Sequence, residues 1–291
     1  MRAVLIFNPT AGRARPATLA RAAERWRAAG WQVETLATDA ATGARGATRE
    51  ALARGVELLA ACGGDGTLAE IANEVVAHGL KAATAITALP FGTANVFARD
   101  LGLPLAPEAA ARALLAGRPQ AFPLGRARFG GGRERHFVCF ASCGFDALII
   151  HRVTRAAKRR WGVAAFVLEA VRQLPGYAFP PLPVSNGAGQ AEANLALCTL
   201  TRHYAGPFAL YPRSWARQPY LITCRGGAAR MALQLVAFLA GAVQAAPGVR
   251  AAPVKQLQIG GAAPVQLDGE PAGFAPVEIE IEPAALRVWA P

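Results

Sequence analysis

The chain has 291 residues, 53% of them hydrophobic and 17% charged, and carries a formal net charge of +12. That balance excludes a disordered or collagen-like polymer and leaves room for two domains with real cores. The charge favours anionic partners such as nucleotides or phospholipid surfaces, and it comes from arginine, the better partner for phosphate oxygens; Lys81, Lys158 and Lys255 are the only lysines.

The apolar part of the first nine residues is too short for a secretory leader and reads as a strand over 3–7, from which a cytoplasmic location is expected. Asn8-Pro9-Thr10-Ala11-Gly12 breaks that strand, and apolar positions at helical spacing run over 16–29. A strand over 31–36, a helix over 42–54 and a strand over 56–62 repeat the pattern. Next come Gly63-Gly64-Asp65-Gly66-Thr67, a helix over 68–78, a strand over 85–89 and a helix over 108–116. This alternation predicts a parallel sheet with helices on both faces and ligands beyond the carboxyl ends of the strands. The 63–67 loop sits at that edge with the chemistry of a phosphate loop. Its glycines let backbone approach a phosphate, and the amides that open the next helix lack intrahelical acceptors at a positive dipole end. Asp65 adds a carboxylate where a metal ion or a hydroxyl proton would sit.

From Phe122 the texture changes to short β-rich runs (137–141, 194–201, 220–224, 256–259 and 277–281) separated by glycine and proline, which predicts a second, mainly antiparallel domain. The boundary falls near 118–123. Two helical stretches interrupt the strands, one from 146 through the basic run 152–160 to 174, the other over 230–243, while 180–183 and 187–189 read as loops. The longest apolar stretch, 231–246, contains Gln234 and Gln244 and is shorter than the roughly 20 residues of a bilayer span. Cys62, Cys139, Cys143, Cys198 and Cys224 are odd in number, lack CxxC spacing and read as buried thiols.

Five motifs in fixed order resemble the diacylglycerol kinase catalytic family, particularly its bacterial lipid kinases, over the length of the chain. They are Asn8-Pro9-Thr10-Ala11-Gly12, Gly63-Gly64-Asp65-Gly66-Thr67, Pro90-Phe91-Gly92-Thr93-Ala94-Asn95 with Ala98, Gly144-Phe145-Asp146-Ala147, and Leu267-Asp268-Gly269-Glu270-Pro271. The resemblance implies an α/β ATP-binding domain over 1–121, completed by 284–291, and a β-sandwich lipid domain over 122–283, with catalysis in the cleft between them. It implies ATP as donor, Mg²⁺ carried with ATP, and a diacylglycerol-like or sphingoid lipid as hydroxyl acceptor. Transient contact with an anionic membrane surface, peripheral to the inner membrane face, follows from such a substrate, and the basic 152–160 stretch with Trp161 is the candidate for it; a solvated helix face is the other reading. A homodimer is left open, and no nucleic-acid motif accompanies the charge.

The implied nucleotide contacts are Asn8, Thr38, Gly63, Gly64, Asp65, Gly66, Thr67, Gly92, Thr93 and Asn95. Asn8 ends the first strand, where capping a loop and bonding a phosphate are both open. Thr38, beside Asp39, is either a nucleotide contact or part of a helix cap. Gly92 and Thr93 would bring a second stretch of backbone to the nucleotide, with Asn95 shaping the loop by side-chain to backbone bonds. The resemblance assigns the general base to Glu270, against the plain alternative of a solvated hairpin residue. Asp65 competes for that role, as in related sphingosine kinases, or organises ATP-bound Mg²⁺. Asp146 and Asp268 are expected to hold a supporting network.

The chain departs from the family pattern at three places. Arg217 stands where bacterial members commonly place a metal-binding aspartate, and a guanidinium has only donors, so no structural Mg²⁺ is expected there. Ser142 replaces a usual glycine, and Ala69 a usual asparagine. Two alternatives follow: an NAD kinase, opposed by the Asn-Pro opening and the late Asp-Gly-Glu turn, and a non-catalytic nucleotide or lipid sensor, favoured by Arg217 and opposed by Asp65 and Glu270.

Overall fold

The computed structural model describes every residue except Ala188, Ala216 and Arg217, and the side chains of all but Arg155 and Arg159 among the rest. The chain divides into two compact units, Met1–Leu124 with Pro283–Pro291, and Gly125–Glu282.

The first unit contains β1 (Arg2–Phe7), α1 (Pro16–Ala28), β2 (Gln32–Ala37), α2 (Ala44–Ala53), β3 (Leu58–Gly63), α3 (Asp65–Ala77), β4 (Ala85–Pro90), α4 (Val96–Asp100) and α5 (Pro107–Leu115). The strands lie in the order β2-β1-β3-β4, all parallel, and Val288 of the chain's last strand continues the sheet beside Ile86. Every residue of β3 and β4 is buried, and their sequences, LLAACG and AITALP, carry no charge that burial would penalise. Helix α1 packs on α5, and α2 on α3, so that each face of the sheet is covered. Trp26 of α1 is fully buried and donates its indole N–H to Ala111 O of α5 at 2.8 Å, which fixes that helix pair. Helix α3 begins at Asp65, inside the glycine-rich motif and three residues before the apolar periodicity starts. The five-residue α4 is too short to show any periodicity at all.

Strand β5 (Arg118–Phe129) carries the chain into the second unit. There follow β6 (Glu134–Phe137), β7 (Phe140–Gly144), α6 (Phe145–Arg152), α7 (Arg155–Trp161), α8 (Ala164–Gln173), β8 (Leu182–Asn186), β9 (Gly189–Ala193), β10 (Leu195–Thr199), β11 (His203–Tyr204) and β12 (Phe208–Ala209). The remainder is β13 (Tyr220–Cys224), α9 (Ala228–Leu239), β14 (Val249–Pro253), β15 (Gln256–Ile259), β16 (Pro264–Leu267), β17 (Glu270–Phe274) and β18 (Val277–Ala290). Six strands form an antiparallel sheet in the order β14-β13-β10-β7-β16-β17. A second antiparallel group joins β9 to β8, β8 to β15, and β15 to the opening residues of β18. Helices α6, α8 and α9 share one apolar cluster around Phe145, Ile149, Ala170, Phe179, Cys224 and Met231.

The boundary expected near 118–123 lies at the start of a twelve-residue strand, and the two units divide after Leu124. Two local readings change. The proline- and glycine-rich segments expected to be loops flank and enter the β8–β9 hairpin. The helical run 146–174 is three helices, interrupted where Thr154 caps α7 by accepting the Ala157 N–H at 3.2 Å and where Gly162 takes φ 57°. All five cysteines are buried, and burial pushes the Cys143, Cys198 and Cys224 thiols up to about 12. No described helix is long and apolar enough to cross a membrane.

Candidate active site

At the carboxyl edge of the first unit's sheet, three loops are tied into one another. The Asn8 N–H donates to Cys62 O at 3.0 Å, and its side-chain oxygen accepts the backbone N–H and the hydroxyl of Thr10 at 2.9 and 2.8 Å, an Asx turn that shapes the loop after β1. Its amide nitrogen reaches the Thr67 hydroxyl at 3.4 Å. The Arg13 N–H donates to Phe91 O at 2.9 Å, which lays the first loop along the loop that follows β4.

The glycine-rich loop and the loop after β4 meet backbone to backbone. A Cβ placed on Gly92 would fall on the Gly64 Cα, 3.0 Å from Gly64 N and 2.7 Å from the Asn95 side-chain oxygen. Asn95 takes φ 48° and exchanges two hydrogen bonds with Gly92: it accepts the Gly92 N–H at 3.0 Å and donates to Gly92 O at 2.8 Å. Asp65 closes the arrangement. One carboxylate oxygen accepts the Val96 N–H and the other the Phe97 N–H, each at 3.0 Å, so this acid caps α4 across the loop. Because no flexible side chain separates Gly64 from Gly92, Gly92→Ala is expected to cost about 1–3 kcal/mol of stability. Gly130→Ala, where nothing lies within 4 Å, should be close to neutral. Paired denaturant titrations check the contrast.

Two cations that the motifs did not single out serve this edge. Arg99, one turn past Asn95, donates its Nε to Ala94 O at 3.1 Å. Burial and the neighbouring Arg13 push its guanidinium down from the ordinary arginine value, and Asp65 opposes them. Thr38 lies at the same edge, its N–H donating to Phe7 O at 2.8 Å; the cap beside it is Asp39, which accepts the Ala41 and Thr42 N–H groups at 2.8 and 2.7 Å.

Glu270 belongs to the second unit, at the start of β17. Asp268 and Gly269 take φ 52° and 80°, the two-residue hairpin turn that an Asp-Gly pair favours. The buried Asp268 carboxylate accepts three backbone N–H groups, from Val138, Cys139 and Phe140, at 2.9, 2.8 and 3.0 Å. Gln266 accepts the Gly269 N–H at 2.8 Å and donates to the Ser142 hydroxyl at 2.9 Å and to Asp146 at 3.3 Å. Ser142, one of the three departures from the family pattern, donates to Asp146, and the Tyr204 hydroxyl donates to the other Asp146 oxygen at 2.5 Å. Glu270 itself is 52% exposed and forms an ion pair with Lys158 at 3.5 Å.

Burial raises the Asp146 carboxyl above the usual range, against the hydrogen bonds from Ser142, Tyr204 and Gln266. A carboxyl raised by folding holds its proton more tightly in the folded state. Its contribution to stability is therefore complete below the unfolded value of about 3.9 and is lost as pH rises through the folded value. Relative to Asp146→Asn, the native chain should lose stability as pH climbs above about 4, which urea titrations at a series of pH values would show; the opposite slope would contradict the assignment.

The structure thus gathers Asn8, Gly63, Gly64, Asp65, Gly66, Thr67, Gly92, Thr93 and Asn95 into one set of interlocked loops, with Thr38 on the same edge, and places Glu270 in the other unit. Arg217 lies outside the described residues, so its contrast with the family pattern rests on sequence alone. Among the described residues no group of three or more histidine, cysteine, aspartate or glutamate side chains is arranged to hold a metal ion.

Residues 2–127 match the family model described as the diacylglycerol kinase catalytic domain. The chain is 30% identical over 217 residues to the diacylglycerol kinase of Bacillus subtilis (strain 168), an alignment covering 73% of this chain and 69% of that protein. It is 39% identical over 142 residues to a Pseudomonas putida protein named "Probable lipid kinase YegS-like", covering 48% of this chain and 45% of that one, so that match spans under half of the relative's length. A crystal structure of a diacylglycerol kinase from Bacillus anthracis str. Sterne superposes with a TM-score of 0.71 at 17% identity, covering 100% of this chain and 97% of that one. Another structure from the same organism superposes with a TM-score of 0.80 at 18% identity, covering 100% and 95%. These superpositions establish a shared fold.

Proposed function

The chain belongs to the diacylglycerol kinase family, and from that premise we propose that it transfers the γ-phosphoryl group of ATP to a hydroxyl of a diacylglycerol-like or sphingoid lipid. The observation that carries this reading is the contact of Gly64 with Gly92, where two backbone segments approach with no side chain between them. Such bare backbone, next to the opening amides of α3 and the Arg13–Arg99 pair, suits the closely spaced oxygens of a nucleotide's phosphates.

In this reading Gly63, Gly64, Gly66 and Thr67 present backbone to the phosphates, while Gly92 and Thr93 cover them from the neighbouring loop. Asn8 and Asn95 hold those loops in shape, Thr38 contacts the nucleotide at the edge of the sheet, and Asp65 keeps the loops together through α4. Mg²⁺ bound with ATP neutralises part of the phosphate charge. Glu270 takes the proton of the acceptor hydroxyl, as its exposure to incoming substrate allows. Phosphoryl transfer asks little covalent chemistry of a protein, so positioning and charge dominate. An ATP donor and a lipid acceptor place the reaction on the cytoplasmic side of a membrane surface.

The test is to incubate the chain with Mg·ATP labelled in the γ-phosphate and a panel of detergent-dispersed diacylglycerols, sphingoid bases and related amphiphiles, then resolve the products. Label on one lipid class supports the reading and names the acceptor. ATP binding without labelled lipid across the panel would instead favour the sensor.

A further inference from the structure

A surface helix ordinarily turns apolar residues inward and polar residues outward. Helices α8 and α9 do the first and not the second. Their inner faces enter the shared cluster through Ala170 and Met231. Their outer stripes, Ala164, Leu168 and Val171 on α8 and Ala229, Leu233 and Val236 on α9, are exposed and apolar at helical spacing. Val236 is 63% and Leu168 59% exposed, and Trp161 at the end of α7 and Leu239 of α9 are exposed beside them. Among the described residues the large exposed apolar side chains are these and Phe274; the first unit has none.

The sequence that carries these helices is poor in acids, although Glu192 pairs with Arg225 and Glu270 with Lys158, each at 3.5 Å. From 147 to 191 the acidic residue is Glu169, and from 193 to 267 the sequence has no aspartate or glutamate. The Glu169 side chain is mostly buried, 3.9 Å from Arg172. Arg160 of α7, Arg172 of α8 and Arg230 of α9 are exposed on the helices that carry or adjoin the stripes, and Arg160 lies 5.5 Å over the Trp161 ring.

We infer that α8 and α9 form a docking face for a lipid bilayer carrying anionic headgroups. Apolar stripes flanked by cations match the layering of such a surface, with acyl chains beneath and negative headgroups around them. A second copy of the chain would bring two sets of these cations together, which disfavours self-association through this face. The inference deepens the lipid-kinase reading and rests on it for its purpose, since the docked face would bring the enzyme to the lipid that supplies its acceptor.

The test is co-sedimentation, without nucleotide, of the full chain with phosphatidylglycerol vesicles and with phosphatidylcholine vesicles. The native chain should partition onto the anionic vesicles, less so at high salt. Leu233→Glu with Val236→Glu, and separately Leu168→Glu with Val171→Glu, should each lower that partition about tenfold or more. Because all four side chains face solvent, the variants should melt with the native chain; serine at the same positions serves as a milder pair, expected to lose less. Light scattering should give the same mass for native and variant chains. Vesicle binding unchanged in correctly folded variants would overturn the inference, as would a native dimer that the substitutions dissociate. Transfer to detergent-dispersed lipid with no vesicle binding would fault this face alone. Vesicle binding with no transfer to any lipid would fault the kinase reading alone.

Discussion

Glu270→Ala is expected to lower kcat for lipid phosphorylation by about 10²–10⁴-fold, the usual contribution of a positioned general base. ATP affinity and melting temperature should stay near native values. The fold does not depend on this side chain: it is half exposed, and its contact with Lys158 is a surface ion pair worth at most about 1 kcal/mol. Lys158→Ala should therefore change kcat far less than Glu270→Ala. Glu270→Gln keeps the shape and removes the base, so it should match alanine in rate. Steady-state kinetics on the identified acceptor check all three. A glutamine variant that retains more than about a tenth of native kcat would be too active for the loss of a base and would return the role to Asp65.

Asp268→Ala is expected to cost about 3–5 kcal/mol, measured by chemical denaturation, because three backbone N–H groups of buried residues lose a charged acceptor at once. Alanine also fits the left-handed conformation at φ 52° poorly. Asp268→Asn separates the two effects, since asparagine tolerates that conformation. It should still lose about 2 kcal/mol or more, because it offers one acceptor oxygen and turns an NH₂ toward donors. The loss should appear as stability first and as rate second, through the turn that presents Glu270. An alanine variant within about 0.5 kcal/mol of native would mean that water replaces the carboxylate, contrary to its burial at 6% exposure.

The first unit was legible because its information is local. Each strand ends in a loop with recognisable breakers, each helix but the five-residue α4 has a 3.6-residue period, and the 63–67 motif sits at the step between strand and helix. What those glycines are for is not local. Gly64 and Gly92 are far apart in sequence, and only the parallel pairing of β3 with β4 brings their backbones together. For the same reason the sequence does not show that the Asp65 carboxylate also caps a helix that begins at Val96. Arg13 and Arg99 escaped notice because a single arginine in an arginine-rich chain carries no signal until a neighbour is in place.

In the second unit the Asp-Gly turn was legible from the turn preference of that pair, and the antiparallel class from short β-rich runs. Strand β8 was not, because Pro183 is a sheet breaker by propensity; it is accommodated near one end of the strand. Strands β5 and β18 run through the expected boundaries, where composition changes but backbone pairing does not. Gln266, which links Gly269 to Ser142 and Asp146, looks in sequence like any polar residue of a strand.

The base and the acceptor both presuppose that the loops of the first unit hold a nucleotide by its phosphates. Calorimetric titration of the native chain with Mg·ATP and with adenosine measures this directly. The account predicts saturable ATP binding, with adenosine weaker by about 10²-fold or more for want of charge-assisted bonds to the loop amides and arginines. Equal affinities for ATP and adenosine, or no ATP binding by the folded chain, would contradict it.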